Sequence, residues 1–414
     1  MSETERYDIA VIGGGPAGAT AAQALAEEGA KVLLLERGNR IKPCGGAIPP
    51  KLIEEFDIPQ QQLVARVHRA RIVAPSHRHV DMPINGGYVG MVDRKDFDEW
   101  LRQRAAHRGA DYRQGEFLRL KEAGDHVQLE YRERNAPRDQ VEHVEAKLVI
   151  GADGANSMVA SQGLYDQPRL SMVSDRNEIL RFVPGENPMH HVAAYHEIIA
   201  APADGYDRAR CDVYYDHKLS PDFYAWIFPH GDTLSVGVGS AQKGFSLRQA
   251  VTRLREESGL DQVETLRREG APIPLHPLRR WGNGRNVIVT GDAAGVVAPA
   301  SGEGIYYAML SGKLAASSAA SFLQTGDPAA LRQARKLFMK HHGQTFRMLA
   351  MMQKYWYTRD ERRERFVSIC ADPDVQDLTW RAYMQKKLVR AKPLAHVRIF
   401  FKNIGHLTGL ASAT

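Results

Sequence analysis

Cysteine is scarce in this chain: of 414 residues only Cys44, Cys211 and Cys370 carry a thiol, and no two stand at CxxC spacing. A disulfide framework and a zinc site are therefore not indicated, and the usage fits a reducing compartment. Long apolar runs are missing as well, none approaching the roughly 18 residues that span a bilayer. The start, Met1-Ser2-Glu3-Thr4-Glu5-Arg6, is acidic and leads at once into an apolar strand. The expectation is no signal peptide, no transmembrane anchor and a cytoplasmic protein. Acid is absent after Asp377, where Arg381, Lys386, Lys387, Arg390, Lys392, Arg398 and Lys402 follow, interleaved with Tyr383, Phe400 and Phe401. Those seven charges exceed the net +6 of the whole chain. Such a tail reads either as a contact for anionic lipid headgroups or a partner, or as a helical cover with a solvated basic face. No nucleic-acid-binding motif accompanies it.

What is present is concentrated at the start. Asp8-Ile9-Ala10-Val11-Ile12 is a short apolar run, Gly13-Gly14-Gly15-Pro16-Ala17-Gly18 a glycine turn, and Ala17 to Glu28 has the length and composition of a helix. Val32-Leu33-Leu34-Leu35-Glu36 is a second strand. In a dinucleotide fold Gly13 permits the sharp turn, Gly15 lets the backbone approach a pyrophosphate, and Gly18 lets helix and strand pack closely. Glu36 is placed to accept from a ribose hydroxyl. Ala17 at the helix start and Arg37 after the acid complete this candidate cofactor-binding set. No second GxGxxG with a strand before it exists for a separate nicotinamide cofactor.

Further along, Arg40 to Pro50 holds two glycines and three prolines and reads as a loop of fixed shape. Short strands are expected around 64–73 and 79–92, a helix from Asp93 onward, and a meander over 111–148 ending in a second glycine turn, Gly151-Ala152-Asp153-Gly154. Alternating aromatic and apolar strands occupy about 165–280. A third turn, Gly291-Asp292, and Ser301-Gly302-Glu303-Gly304 precede a small-residue helix. The expected fold is α/β: a Rossmann-like dinucleotide-binding domain over 1–164 and 281–325, an inserted antiparallel β-sheet substrate domain over 165–280, and a helical C-terminal region over 326–414.

Three glycine turns near 13, 151 and 291, each after an apolar strand, imply a large dinucleotide. The set resembles the flavoprotein class typified by aromatic hydroxylases. That resemblance implies FAD, with the first motif and Glu36 on its ADP part, Asp153 and Gly154 near the pyrophosphate, and Gly291 and Asp292 at the ribityl and phosphate region; as structure alone, Asp153 and Asp292 also read as ordinary turn residues. Gly302 and Gly304 would stand at a helix N-terminus facing the pyrimidine end of the flavin. Arg94 resembles the arginine that contacts flavin in this class, and the residues alone equally allow a solvent-facing helix arginine.

Within the class, Pro221-Asp222-Phe223-Tyr224-Ala225-Trp226-Ile227-Phe228-Pro229 reads as PxxYxWxFP, and the chain resembles the geranylgeranyl reductases. Lys42-Pro43-Cys44-Gly45-Gly46-Ala47-Ile48-Pro49 and Gly90-Met91-Val92-Asp93-Arg94 look like the forms of the (bacterio)chlorophyll-pathway members. The resemblance runs from Tyr7 to about Ile404. It implies reduction of three of the four double bonds of a geranylgeranyl group, free as diphosphate or esterified to pigment, with electrons from NADPH through a shared or transient site, reduced ferredoxin being the alternative donor. Through the basic tail, pigment-synthesis enzymes are expected as partners and a peripheral place at the photosynthetic membrane is expected.

On a strand, Tyr224, Trp226 and Phe228 point to one face. They form either a ring-lined wall for an isoprenoid or one side of a packed core. An isolated alkene has no carbonyl to take negative charge, so positive charge must develop as hydride arrives. The expectation is that Tyr224 and Trp226 stabilise that charge. Cys44, with Gly45 and Gly46 in a rigid loop, stands by the alkene as proton source or positioner, the alternative being a small buried hydrophobe. Rival functions are an archaeal-type glycerolipid reductase, a flavin monooxygenase and a non-enzymatic flavin-bearing scaffold.

Overall fold

The structure is a computed structural model that describes residues 4–38, 41–164 and 191–386. The basic tail beyond Lys386, with the lipid and partner contacts expected of it, lies outside the described residues, as does the expected boundary at 165. The chain divides into two compact units. The first comprises Met1–Lys42, Arg94–His191 and Pro272–Phe346, and the second Pro43–Asp93, Val192–Ala271 and Arg347–Thr414.

In the first unit, strands Asp111–Ala123, Val32–Glu36, Glu5–Ile12, Glu142–Gly151 and Val287–Val289 pair parallel, side by side. His126–Glu133 pairs antiparallel with Asp111–Ala123 and Glu142–Gly151, completing the meander. Ile9 to Ile12, Val32 to Leu35, Leu148 to Ile150 and Val287 to Val289 are all buried. Continuous apolar runs are what a parallel sheet covered on both faces requires. Helices Pro16–Glu27 and Ile305–Thr325 pack through small residues. A Cβ built on Gly312 would stand 2.2 Å from the carbonyl oxygen of Ala17.

The second unit carries a seven-stranded sheet in the order Thr265–Pro274, His191–Ala200, Thr233–Ser240, Ala225–His230, Arg210–Tyr214, Arg69–Val73, His79–Pro83. Arg210–Tyr214 pairs parallel with Arg69–Val73, so the sheet is not wholly antiparallel. That pairing draws residues 43–93 into the second unit, where the sequence reading placed them in the first. Residues 326–346, expected with the C-terminal helices, group with the first unit. Strand Thr265–Pro274 runs on through Pro272 and Pro274, which an edge strand tolerates because its outer N–H positions need no partner. A small sheet of Ala47–Ile48, Val89–Met91 and Ala65–Val67 completes the unit's strands.

Helices Arg332–Trp356, Asp360–Ile369 and Pro373–Gln385 form the described C-terminal part. Among the described residues no helix is long and apolar enough to cross a membrane. Arg363 is wholly buried. It donates to the carbonyls of Ser220 (2.8 Å), Pro221 (2.7 Å) and Tyr357, and to the Asp360 carboxylate (2.6 Å), which also meets His217. One guanidinium thus ties the helix to the start of the aromatic strand. Arg363→Met should cost about 3 kcal/mol, because three carbonyls and a carboxylate lose their donor together. Urea unfolding followed by far-UV circular dichroism reads that loss.

Candidate functional site

The first unit brings the three glycine turns together. Gly13 has φ +102°, and a Cβ there would stand 2.4 Å from the carbonyl oxygen of Ala152, so the first turn abuts the second. A Cβ on Gly18 would lie 1.8 Å from the carbonyl oxygen of Gly13. Gly291, at φ +62°, places its Cα face against Ala17, whose Cβ an added methyl would meet at 2.7 Å, so the third turn packs on the first helix.

Gly15 differs from these. It caps helix Pro16–Glu27 in an ordinary extended conformation with no side-chain cap, and an added Cβ would meet nothing within 4 Å. At the helix N-terminus, where N–H groups and the positive dipole end are exposed, no described residue comes within 4 Å of that position. Gly154, at φ +86°, is equally open. Gly304 caps helix Ile305–Thr325 without a side-chain acceptor of its own. The neighbouring Glu303 carboxylate takes the Tyr306 N–H at 2.9 Å, and Gly302 holds φ +65°. The uncapped start of helix Pro16–Glu27 and a glycine floor fit a dinucleotide diphosphate.

The carboxylates around this cradle are already partly engaged. Glu36 accepts from the N–H groups of Gly14 (2.6 Å) and Gly38 (3.1 Å), which leaves lone pairs for ribose hydroxyls. Arg37 beyond it is exposed. Asp153 accepts from the Ser157 hydroxyl and from the N–H groups of Met158 (2.6 Å) and Val159 (3.1 Å), capping helix Met158–Gly163. Burial lifts its carboxyl above the usual range against the pull of those donors. In the structure Asp153 therefore shapes the turn, with its backbone against Gly13. Asp292 pairs with Lys42, a partner that the sequence reading did not name. Arg94 is buried and forms a double bridge to Asp98 (2.7 and 2.6 Å), which rules out the solvent-facing alternative. Arg102 was missed altogether. It donates to the Gly14 carbonyl at 3.1 Å and fills the space beside that glycine.

The second unit assembles the other group. Tyr224 immediately precedes strand Ala225–His230, and its ring centroid is 5.9 Å from that of Trp226, which is 6.2 Å from Phe228. Ala225 and Ile227 point the other way, into a core with Val236, Val251 and Leu254 under helix Leu247–Glu257. The rings therefore occupy the face opposite that core. Phe228 joins Val67, Val89 and Met91 in a separate cluster.

The glycines of the 42–49 loop seat it on this strand. A Cβ on Gly45 would stand 2.9 Å from the Phe228 ring. One on Gly46, at φ +69°, would stand 2.4 Å from the carbonyl oxygen of Val92 and 2.6 Å from Nε2 of His230. Cys44 Sγ accepts from the Gly46 N–H at 3.4 Å. Cys44 is half-buried, whereas Cys211 and Cys370 are buried. Desolvation pushes the Cys211 thiol far up and the Cys370 thiol to about 12. The Tyr224 phenol is driven far up by burial, with further contributions from Tyr357 and Cys44. His230, one residue past the signature, carries no mark in the sequence. Its Nδ1 faces the Phe228 carbonyl at 3.2 Å, and burial lowers its pKa to about 4.

The chain matches the FAD binding domain family over residues 50–339 and the NAD(P)-binding Rossmann-like domain over residues 11–59. It is 52% identical over 408 residues to geranylgeranyl diphosphate reductase of Rhodobacter capsulatus, covering 98% of each chain. Digeranylgeranylglycerophospholipid reductase 1 of Methanopyrus kandleri is 31% identical, over 78% of this chain and 83% of that one. A geranylgeranyl bacteriochlorophyll reductase-like protein from Thermoplasma acidophilum has a similar fold. Its TM-score is 0.77 at 22% identity, covering 95% of this chain and 100% of that chain. Cradle, aromatic signature and full-length similarity agree: the chain belongs to the geranylgeranyl reductase family of FAD-binding oxidoreductases.

Proposed function

We propose that this protein saturates three of the four double bonds of a geranylgeranyl group, as diphosphate or esterified to (bacterio)chlorophyll, drawing electrons from NADPH. The observation that carries the reading is Cys44, the half-buried cysteine, in a loop whose glycines rest on the aromatic strand. When bound, FAD supplies the hydride. Gly15 and the helix start behind it, brought close to the turn by Gly18, would hold its diphosphate, Glu36 its ribose, and Asp292 its ribityl region. The isoprenoid lies along Tyr224, Trp226 and Phe228, whose ring faces stabilise cationic character at the tertiary carbon. Cys44 gives the proton to the less substituted carbon and recovers one from solvent. The far greater identity to the diphosphate reductase than to the archaeal lipid reductase favours this substrate class over glycerolipid. The basic tail supports peripheral contact with an anionic membrane and with pigment-synthesis enzymes. The test is incubation with FAD, NADPH and each of the two substrates. Products should gain two hydrogens per turnover, and gain of an oxygen atom would establish a monooxygenase instead.

A further inference from the structure

Trp226 is held by more than packing. His196, Gly237 and Trp226 stand side by side across three neighbouring strands of the second unit, on one face. A Cβ on Gly237 would lie 2.2 Å from Cζ2 of Trp226 and 2.6 Å from the His196 Cβ, so the indole lies flat across a position that only glycine leaves free. Its Nε1–H donates to the hydroxyl of Ser235 at 3.1 Å. Ser235 is wholly buried, and its Oγ is also 2.9 Å from Nδ1 of His196. Nε2 of His196 is 2.9 Å from Oε2 of Glu269. Glu269 pairs with Arg267 at 2.6 Å, and Arg267 reaches Asp93 at 3.2 Å. Asp93 directly follows Val92, whose N–H donates to the carbonyl of Gly46 at 2.9 Å.

With the imidazole neutral, the donors and acceptors take one consistent ordering. The indole has a single N–H and can only donate, so Ser235 accepts from it and is free to turn its own hydrogen to Nδ1 of His196. Nε2 of His196 then carries the ring proton and donates to the Glu269 carboxylate. A lone serine would satisfy the indole but leave the hydroxyl free to rotate. The histidine and carboxylate behind it fix the direction of that hydroxyl, and with it the plane of the indole.

We infer that Ser235, backed by His196 and Glu269, is a positioning residue that holds the Trp226 ring face toward the developing cationic carbon. The inference rests on the functional reading above, in which Trp226 lines the alkene site. A cation–ring attraction depends on the face being presented, so tilting the indole weakens it while leaving the apolar wall in place.

The test is a double-mutant cycle on FAD-loaded protein reduced with dithionite, following the single-turnover rate at the first double bond of geranylgeranyl diphosphate. Ser235→Ala should slow that step about tenfold with FAD content unchanged, and Ser235→Thr, which keeps the hydroxyl, should restore most of the rate. In a Trp226→Phe background, which has no N–H to hold, Ser235→Ala should have almost no further effect. Equal losses in both backgrounds, or a wild-type rate in Ser235→Ala, would overturn the positioning role. If the alanine variant does not accumulate folded, Ser235→Cys, near-isosteric and a poor acceptor, takes its place in the cycle. Absence of turnover in the unmodified protein would count against the functional reading, a result separate from either outcome of the cycle.

Discussion

Gly18→Ala yields a protein that purifies colourless and does not take up added FAD. The methyl would sit 1.8 Å from the carbonyl oxygen of Gly13, far inside any tolerated contact. Relief requires moving helix Pro16–Glu27 off the turn, and the helix has nowhere to go. On its other side Gly312 approaches the Ala17 carbonyl so closely that a Cβ would stand at 2.2 Å, and Gly291 is seated against Ala17 as well. Overpacking of a rigid interior costs about 1–3 kcal/mol when side chains can yield. Here the obstacles are backbone, so the loss is larger and falls on the geometry that aims the helix N–H groups at the diphosphate. Gly15→Ala separates the two effects. Its site is open within 4 Å and its φ of −73° suits alanine, so the chain should keep its denaturation midpoint yet lose flavin affinity. Visible flavin absorbance after desalting, set beside urea denaturation, checks both variants. Stoichiometric flavin in Gly18→Ala would refute the clamp.

The contrast between those two glycines shows what a sequence does and does not disclose. The strand-turn-helix start was legible because apolar run, glycines and acid follow one another locally, and the ring-bearing strand because alternation survives in any context. The membership of residues 43–93 was not. It depends on Arg69–Val73 pairing with Arg210–Tyr214, some 140 residues away, and nothing near either strand announces the partner. One charged residue went unnamed for a related reason. Arg102 sits on an amphipathic helix where arginine normally reads as solvated, yet its guanidinium reaches the Gly14 carbonyl. Asp153 was read by analogy as a cofactor contact, while its local spacing to Ser157 and Met158 also makes a helix cap, and the structure uses it as one. His230 was invisible because a histidine after an aromatic strand has no spacing signature, and only the close approach of Gly46 gives it a place.

Cys44→Ala should carry as much FAD as the unmodified protein and reduce geranylgeranyl diphosphate about 10²- to 10⁴-fold more slowly, the range for loss of a positioned proton donor. Flavin content is spared because the change leaves Gly15, Gly18 and Glu36 untouched. The size of the loss follows from what else is near the loop. His230 has been pulled to about 4 by burial, so at neutral pH it is uncharged, and its remaining ring proton faces the Phe228 carbonyl. The Tyr224 phenol is driven so far up by burial that releasing its proton is strongly disfavoured. Cys44 is held in place by its own loop. The Gly46 N–H is directed at Sγ, and Gly46 is locked by its positive φ and by the Val92 carbonyl pressed against it. Cys44→Ser, with a weaker acid in the same loop, should fall between the two rates. A wild-type rate in the FAD-loaded alanine variant, measured by product mass against time, would strip the thiol of the proton and leave the loop only the task of shaping the chain's path.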